Sequence, residues 1–89
     1  MSEVEVMIAN RLGLHARAAA KFVHLANQFE AKIAVIKDGS KVDGKSILGL
    51  QTLAAKKGTR LRLTADGGDE QLALDGLSKL VRSNFGEDE

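Results

Sequence analysis

The chain has no cysteine, no proline, no tryptophan and no tyrosine, and only three phenylalanines and two histidines among its 89 residues. Each absence excludes something. Without cysteine there is no disulfide framework and no thiolate metal site. His15 and His24 do not make a ligand set by themselves, so no metal is expected. Single-stranded nucleic acid is usually held by aromatic stacking. With Tyr and Trp missing, and Phe22 and Phe29 expected in the core, RNA binding is disfavoured. No apolar run approaches the roughly 20 residues that a membrane-spanning helix needs. The N-terminal Met-Ser-Glu-Val-Glu lacks the apolar stretch of a signal peptide. The expectation is a cytoplasmic protein, with no membrane insertion and no nucleic-acid partner.

What is present suffices for one domain. The hydrophobic fraction is 44%, nearly all aliphatic, and residues 1–89 are expected to form a single unit around one core. The acidic tail, residues 86–89, is expected to fray. Net charge is only +1, but it is unevenly spread. Arg11 to Arg62 holds eleven Lys or Arg against three acids, while the rest holds two against nine. The central part therefore carries a positive field suited to an acidic partner or a phosphate. Scattered lysines that keep a small domain soluble would give the same count.

Hydrophobic spacing alternates between two periods. Val4, Val6 and Ile8 interleave with Glu3, Glu5 and Met7, a strand pattern. From His15 to Gln28 the spacing is helical, with Ala16, Ala19, Ala20, Val23 and Ala26 as one stripe. Lys32 to Lys37 is a second strand. Asp38-Gly39-Ser40 has turn chemistry and should fold Lys41–Asp43 back as a third strand. Ser46 precedes a short helix through Leu53 as its N-cap, and Lys57-Gly58 should end it. Arg60–Ala65 alternates cleanly as a fourth strand. Asp69 should cap a last helix reaching about Asn84, with Leu72, Ala73, Gly76, Leu77, Leu80 and Val81 on its apolar face. The order is β-α-β-β-α-β-α. Two strands alternate clearly, so one sheet face is wet, which favours an antiparallel sheet with the helices on the other face. The expected fold is a two-layer, open-faced α+β sandwich.

The chemistry concentrates in Gly13-Leu14-His15-Ala16-Arg17-Ala18-Ala19-Ala20-Lys21. This places an imidazole where a loop becomes a helix. Leading helix amides are unpaired, and the macrodipole is positive there. An anion bonded to His15 would meet the amides of Ala16 and Arg17 and the Arg17 guanidinium. A cation in a first turn is disfavoured by the dipole, so Arg17 is better explained by an anion it must meet. His24 falls on the polar side of the same helix and is expected to be an ordinary surface residue.

Gly13-Leu14-His15-Ala16-Arg17, with Ala19-Ala20 and Phe22-Val23, resembles the active-site signature of the HPr family, the histidine-containing phosphocarriers of the phosphotransferase system. Gly44-Lys45-Ser46-Ile47-Leu48-Gly49-Leu50, with Leu53-Ala54 and Gly58-Thr59, resembles that family's regulatory-serine motif. The likeness runs from about Val4 to Val81. It implies a four-stranded antiparallel sheet in the order 1-4-2-3 with three helices on one face. It also implies a carrier rather than an autonomous enzyme, acting as a monomer without metal or organic cofactor. His15 would take a phosphoryl group from phosphorylated Enzyme I and pass it to the A domain of an Enzyme II permease or a regulatory counterpart. Arg17 would neutralise phosphoryl oxygens. Leu14, Ile47, Leu48 and Gln51 would supply the docking patch, and Ser46 would be phosphorylated where an HPr kinase exists. One departure is Ala18, where the family usually has proline. It leaves open a paralogue with other partners, such as a nitrogen-branch regulatory carrier.

A different class also finds support. Gly39-Ser40-Lys41-Val42-Asp43-Gly44-Lys45-Ser46 matches the phosphate-binding loop pattern G-x-x-x-x-G-K-S, after an apolar segment and before a helix. Against it, such a loop belongs to a buried parallel sheet with helices on both faces, for which 89 residues are too few. Asp43 would also crowd the phosphate.

Overall fold

Alternation of arginine with leucine marks Arg60–Asp66 (β4) as the strand on which the sheet is built, although Thr64 is buried as well. Its odd positions Leu61, Leu63 and Ala65 are buried and its arginines are exposed. The structure, a computed structural model, describes residues 1–87. β4 pairs antiparallel with Ser2–Met7 (β1) on one side and Lys32–Lys37 (β2) on the other. Ser40–Asp43 (β3) pairs with β2, so the order is β1-β4-β2-β3. Register keeps the two faces separate, because side chains alternate with period two. Val4, Leu63, Val35 and Val42 form one row toward the core. Glu5, Arg62, Ile36 and Lys41 form the neighbouring row on the open face.

The turn joining β2 to β3 places Asp38 at φ 48° and Gly39 at φ 87°. Two positive-φ residues match the twist of a tight hairpin. Ser40–Asp43 is therefore consumed in strand pairing. A phosphate loop needs successive amides free to converge on one anion, so the geometry rules against a nucleotide loop at Gly39–Ser46.

Three helices, Ala16–Ala26 (α1), Ile47–Thr52 (α2) and Glu70–Arg82 (α3), complete the fold, followed by a 3₁₀ turn over Asn84–Gly86. α3 packs on β1 and β4, and α1 packs on α2 and α3. The core is aliphatic with two phenylalanines, Phe22 and Phe85. Phe29 is only partly buried against it. This is the open-faced α+β sandwich expected, with the antiparallel order 1-4-2-3.

Several local expectations need correction. The buried stripe of α1 is Ala18, Ala19, Phe22, Val23 and Ala26, while Ala16 and Ala20 are exposed. Alanine fits either face, so larger neighbours set the helix phase. On α3, Leu74 is buried and Leu72 is 67% exposed. α2 stops at Thr52, well before Gly58; its exit is a non-glycine residue, Ala54, at φ 50°. Gly58 serves the next turn, where its amide donates to the Ile8 carbonyl at 2.7 Å. Asp69 precedes α3 but makes no side-chain cap. Its two carboxylate oxygens accept instead from the amides of Glu30 and Ala31, both at 2.9 Å, and tie the α1–β2 connection to the start of α3. The tail differs too. Gly86 closes the 3₁₀ turn and Glu87 is bonded back to the body. Residues 88 and 89, the rest of the expected frayed segment, lie outside the described residues.

Candidate functional site

His15 is the N-cap of α1, with extended backbone at φ −73° and ψ 177°. Its carbonyl accepts the first helical bond, from the Ala19 amide at 2.8 Å. The amides of Ala16, Arg17 and Ala18 therefore lie ahead of the helical ladder. The Arg17 amide donates to His15 Nδ1 at 3.2 Å, an N-cap made by an imidazole. Arg17 itself is exposed, and among the described residues its guanidinium has no hydrogen-bond or ion-pair partner.

The loop before the helix holds this cap in place. Gly13 adopts φ +70°, and a Cβ there would lie 2.5 Å from the Ala55 carbonyl oxygen and 2.8 Å from Lys56 Cα. Only glycine allows that approach without strain. The next amide, Leu14, donates to the Ala55 carbonyl at 2.8 Å. This turn drives the Leu14 side chain inward, where it is 7% exposed. Leu14 is thus a core residue beneath the site and cannot supply a docking surface, contrary to expectation. Ile47 and Leu48 are 41% and 77% exposed, and Gln51 is exposed beside them. Leu12, on the histidine loop, is 62% exposed and adds apolar surface that the sequence pattern did not single out.

Two residues near the ring were not anticipated. Glu87 places one carboxylate oxygen on His15 Nε2. Its other oxygen accepts from Asn10 Nδ2 at 2.9 Å. Asn10 is fully buried and also donates to the Gly13 carbonyl at 2.8 Å. The Asn10 amide, followed by the His15 ring, holds the Glu87 carboxyl below the usual carboxylate range. The ring is thus bonded at both nitrogens: Nδ1 accepts from an N–H, and Nε2 faces a carboxylate. That network places the hydrogen on Nε2 and the lone pair on Nδ1. No short sequence pattern links positions 10 and 87, so only the fold brings them together.

Ser46 caps α2 as expected, with Oγ accepting from the Gly49 amide at 2.9 Å. Among the described residues no cluster of three or more His, Cys, Asp or Glu could hold a metal ion. Among the described residues no helix is long and apolar enough to cross a membrane.

The order β1-β4-β2-β3, with an imidazole capping the start of α1, places the chain among small open-faced α+β sandwiches. A family model described as the PTS HPr component phosphorylation site matches residues 2–83. The phosphocarrier protein HPr of Neisseria meningitidis is 48% identical over 89 residues, covering all of both chains. That of Pseudomonas aeruginosa is 47% identical over 90 residues, again covering all of both. The crystal structure of HPr-C-His from Thermoanaerobacter tengcongensis superposes with a TM-score of 0.96 at 45% identity, covering all of both chains. The chain belongs to the HPr family of phosphotransferase-system phosphocarriers.

Proposed function

We propose that His15 Nδ1 accepts a phosphoryl group from phosphorylated Enzyme I and passes it to the A domain of a sugar-specific Enzyme II, or to a regulatory counterpart. The observation that carries this reading is the state of Nδ1. It accepts a hydrogen bond from the Arg17 amide, so its lone pair faces the unpaired start of α1. When that lone pair forms the N–P bond, the Arg17 amide is released to donate to a phosphoryl oxygen. The Ala16 amide is placed to do the same, and the Arg17 guanidinium can swing over the equatorial oxygens. None of these donors must be created at the moment of transfer.

The whole chain acts as one carrier domain. It turns over nothing alone, since the phosphoryl group arrives from one protein and leaves to another. Ile47, Leu48 and Gln51 form the docking surface, small enough for the weak, fast exchange that a relay needs. Ser46 is a regulatory site in this reading. A phosphate on its oxygen would set negative charge beside Ile47 and Leu48, where an HPr kinase would thereby weaken docking.

The test is phosphorylation with phosphoenolpyruvate and Enzyme I, with the site located by mass spectrometry. The expected result is one acid-labile phosphoryl group on His15, and none on a folded His15→Ala variant. Label retained by His15→Ala would refute the assignment.

A further inference from the structure

Glu87 is held over the ring by more than its contact with it. Phe85, two residues earlier, is buried in the core at 1% exposure. The Phe85 carbonyl accepts from Lys21 Nζ on α1 at 2.7 Å. Asn84 and Phe85 both adopt positive φ, 58° and 56°. Non-glycine residues keep that conformation only where surrounding contacts over-determine it. The chain thus bends sharply to return over the start of α1. Asn10, from the loop after β1, then fixes the Glu87 carboxylate from the far side. The ring thus meets the Glu87 carboxylate at Nε2 and the Arg17 amide at Nδ1, with Asn10 and Lys21 holding the Glu87 segment from behind.

We propose that Glu87, anchored by the buried Asn10, is a positioning residue for phosphoryl transfer at His15. It keeps the hydrogen on Nε2 and balances the positive charge that the ring gains when Nδ1 bonds to phosphorus. This rests on the phosphocarrier reading above. The neutral ring brings a lone pair on Nδ1 and a hydrogen on Nε2. Nδ1 attacks the phosphorus of the donor phosphohistidine, the N–P bond forms, and the donor's P–N bond breaks with its electron pair returning to the donor imidazole. No proton leaves Nδ1, because none is there. The Nε2 hydrogen stays, and the phosphorylated ring carries an imidazolium-like charge facing the carboxylate. Onward transfer reverses these steps, and the pair returns to Nδ1. A carboxylate fixed on the remote nitrogen serves the same end in serine hydrolases, where it holds the tautomer and stabilises the imidazolium.

The experiment compares full-length wild type, Glu87→Ala, Glu87→Gln, Asn10→Ala and the Asn10→Ala/Glu87→Ala double variant. Phosphoryl acceptance from phosphorylated Enzyme I is measured at varied carrier concentration, alongside the ring proton spectrum by NMR. In Glu87→Ala, kcat should fall about tenfold with KM unchanged, the low end of what losing an imidazole's orienting partner costs in metal sites. The downfield, exchange-protected Nε2 proton of the wild type should disappear. Glu87→Gln keeps the shape and loses the charge, so its kcat should fall between the two. The double variant should be less impaired than the two single effects multiplied together, because Asn10 acts in part through Glu87 and in part through the Gly13 carbonyl. A Glu87→Ala kcat within twofold of wild type, or a change in KM alone, overturns the proposal. An Nε2 proton that survives the substitution does so too. Each of these leaves the phosphocarrier reading intact. That reading fails separately, if wild type accepts no phosphoryl group or His15→Ala still does.

Discussion

Gly13→Ala should be among the most damaging single-methyl additions this chain can receive. The residue lies at φ +70°, and the added Cβ would meet the Ala55 carbonyl oxygen at 2.5 Å and Lys56 Cα at 2.8 Å. Both obstacles are backbone, so neither can rotate aside. A left-handed backbone costs a non-glycine residue about 1–2 kcal/mol. Relieving an overpacked contact typically costs about 1–3 kcal/mol more. Together these predict a loss of about 2–5 kcal/mol, a large share of the roughly 5–15 kcal/mol available to a domain. Gly58→Ala is the control. It has a comparable φ of +92° but nothing within 4 Å of the added Cβ, so only the backbone cost of about 1–2 kcal/mol applies. Urea titration of the two variants beside wild type measures both. At about 4–8 °C per kcal/mol for a domain of this size, Gly13→Ala should melt clearly below Gly58→Ala. Phosphoryl acceptance should fall as well, because the Gly13 carbonyl and the Leu14 amide hold the loop that ends in His15. Equal stability of the two variants would refute the close approach of residues 55–56 to the histidine loop.

Ala18→Pro should change stability by less than about 1 kcal/mol, since proline is tolerated in a first turn and the Ala18 amide lies ahead of the helical ladder; thermal melting checks this, and a large loss would mean that amide has an acceptor. Ser46→Ala should cost about 1 kcal/mol through the lost cap, whereas Ser46→Asp should keep the cap and slow transfer from Enzyme I by raising KM; calorimetry and transfer kinetics separate the two effects. Acid should destabilise the fold through three carboxylates. Asp69, bonded to the Glu30 amide, Glu70, bonded to the Ser2 hydroxyl, and Glu87, bonded to the Asn10 amide, all titrate below their ordinary values in the folded chain. Depressed folded values mean that their stabilisation is full above the unfolded values of 3.8 and 4.5 and is lost as pH falls through the lower folded ones. Urea midpoints measured from pH 6 downward should decline in that window, less steeply in Asp69→Asn.

The legible parts of the fold were those where one physical signal dominated. Arg60–Asp66 alternates because one sheet face meets water, and the Asp38-Gly39 turn announces its hairpin through the φ it needs. His15 was legible because the motif around it is local and specific. Where a residue type suits two environments, sequence gave the wrong phase. The spacing puts Ala16 and Ala20 on the stripe and passes over the buried Ala18, and it puts Leu72 on the apolar face and passes over the buried Leu74. The inward direction of Leu14 depends on Gly13 and on Ala55, 41 positions further on, which no local pattern carries. Asp69 has the position of a helix cap, but its oxygens answer the amides of Glu30 and Ala31, which lie far off in the chain. The Asn10–Glu87–His15 chain was invisible for the same reason, since contacts between the two ends of a sequence leave no periodicity behind.

The bond from the Leu14 amide to the Ala55 carbonyl gives the molecule a built-in gauge. The amide can trade its hydrogen for deuterium only when the reactive loop lifts from the strip of chain beneath it. The exchange lifetime of that one resonance therefore reports how often the platform under the imidazole opens, separately from whether the whole domain unfolds.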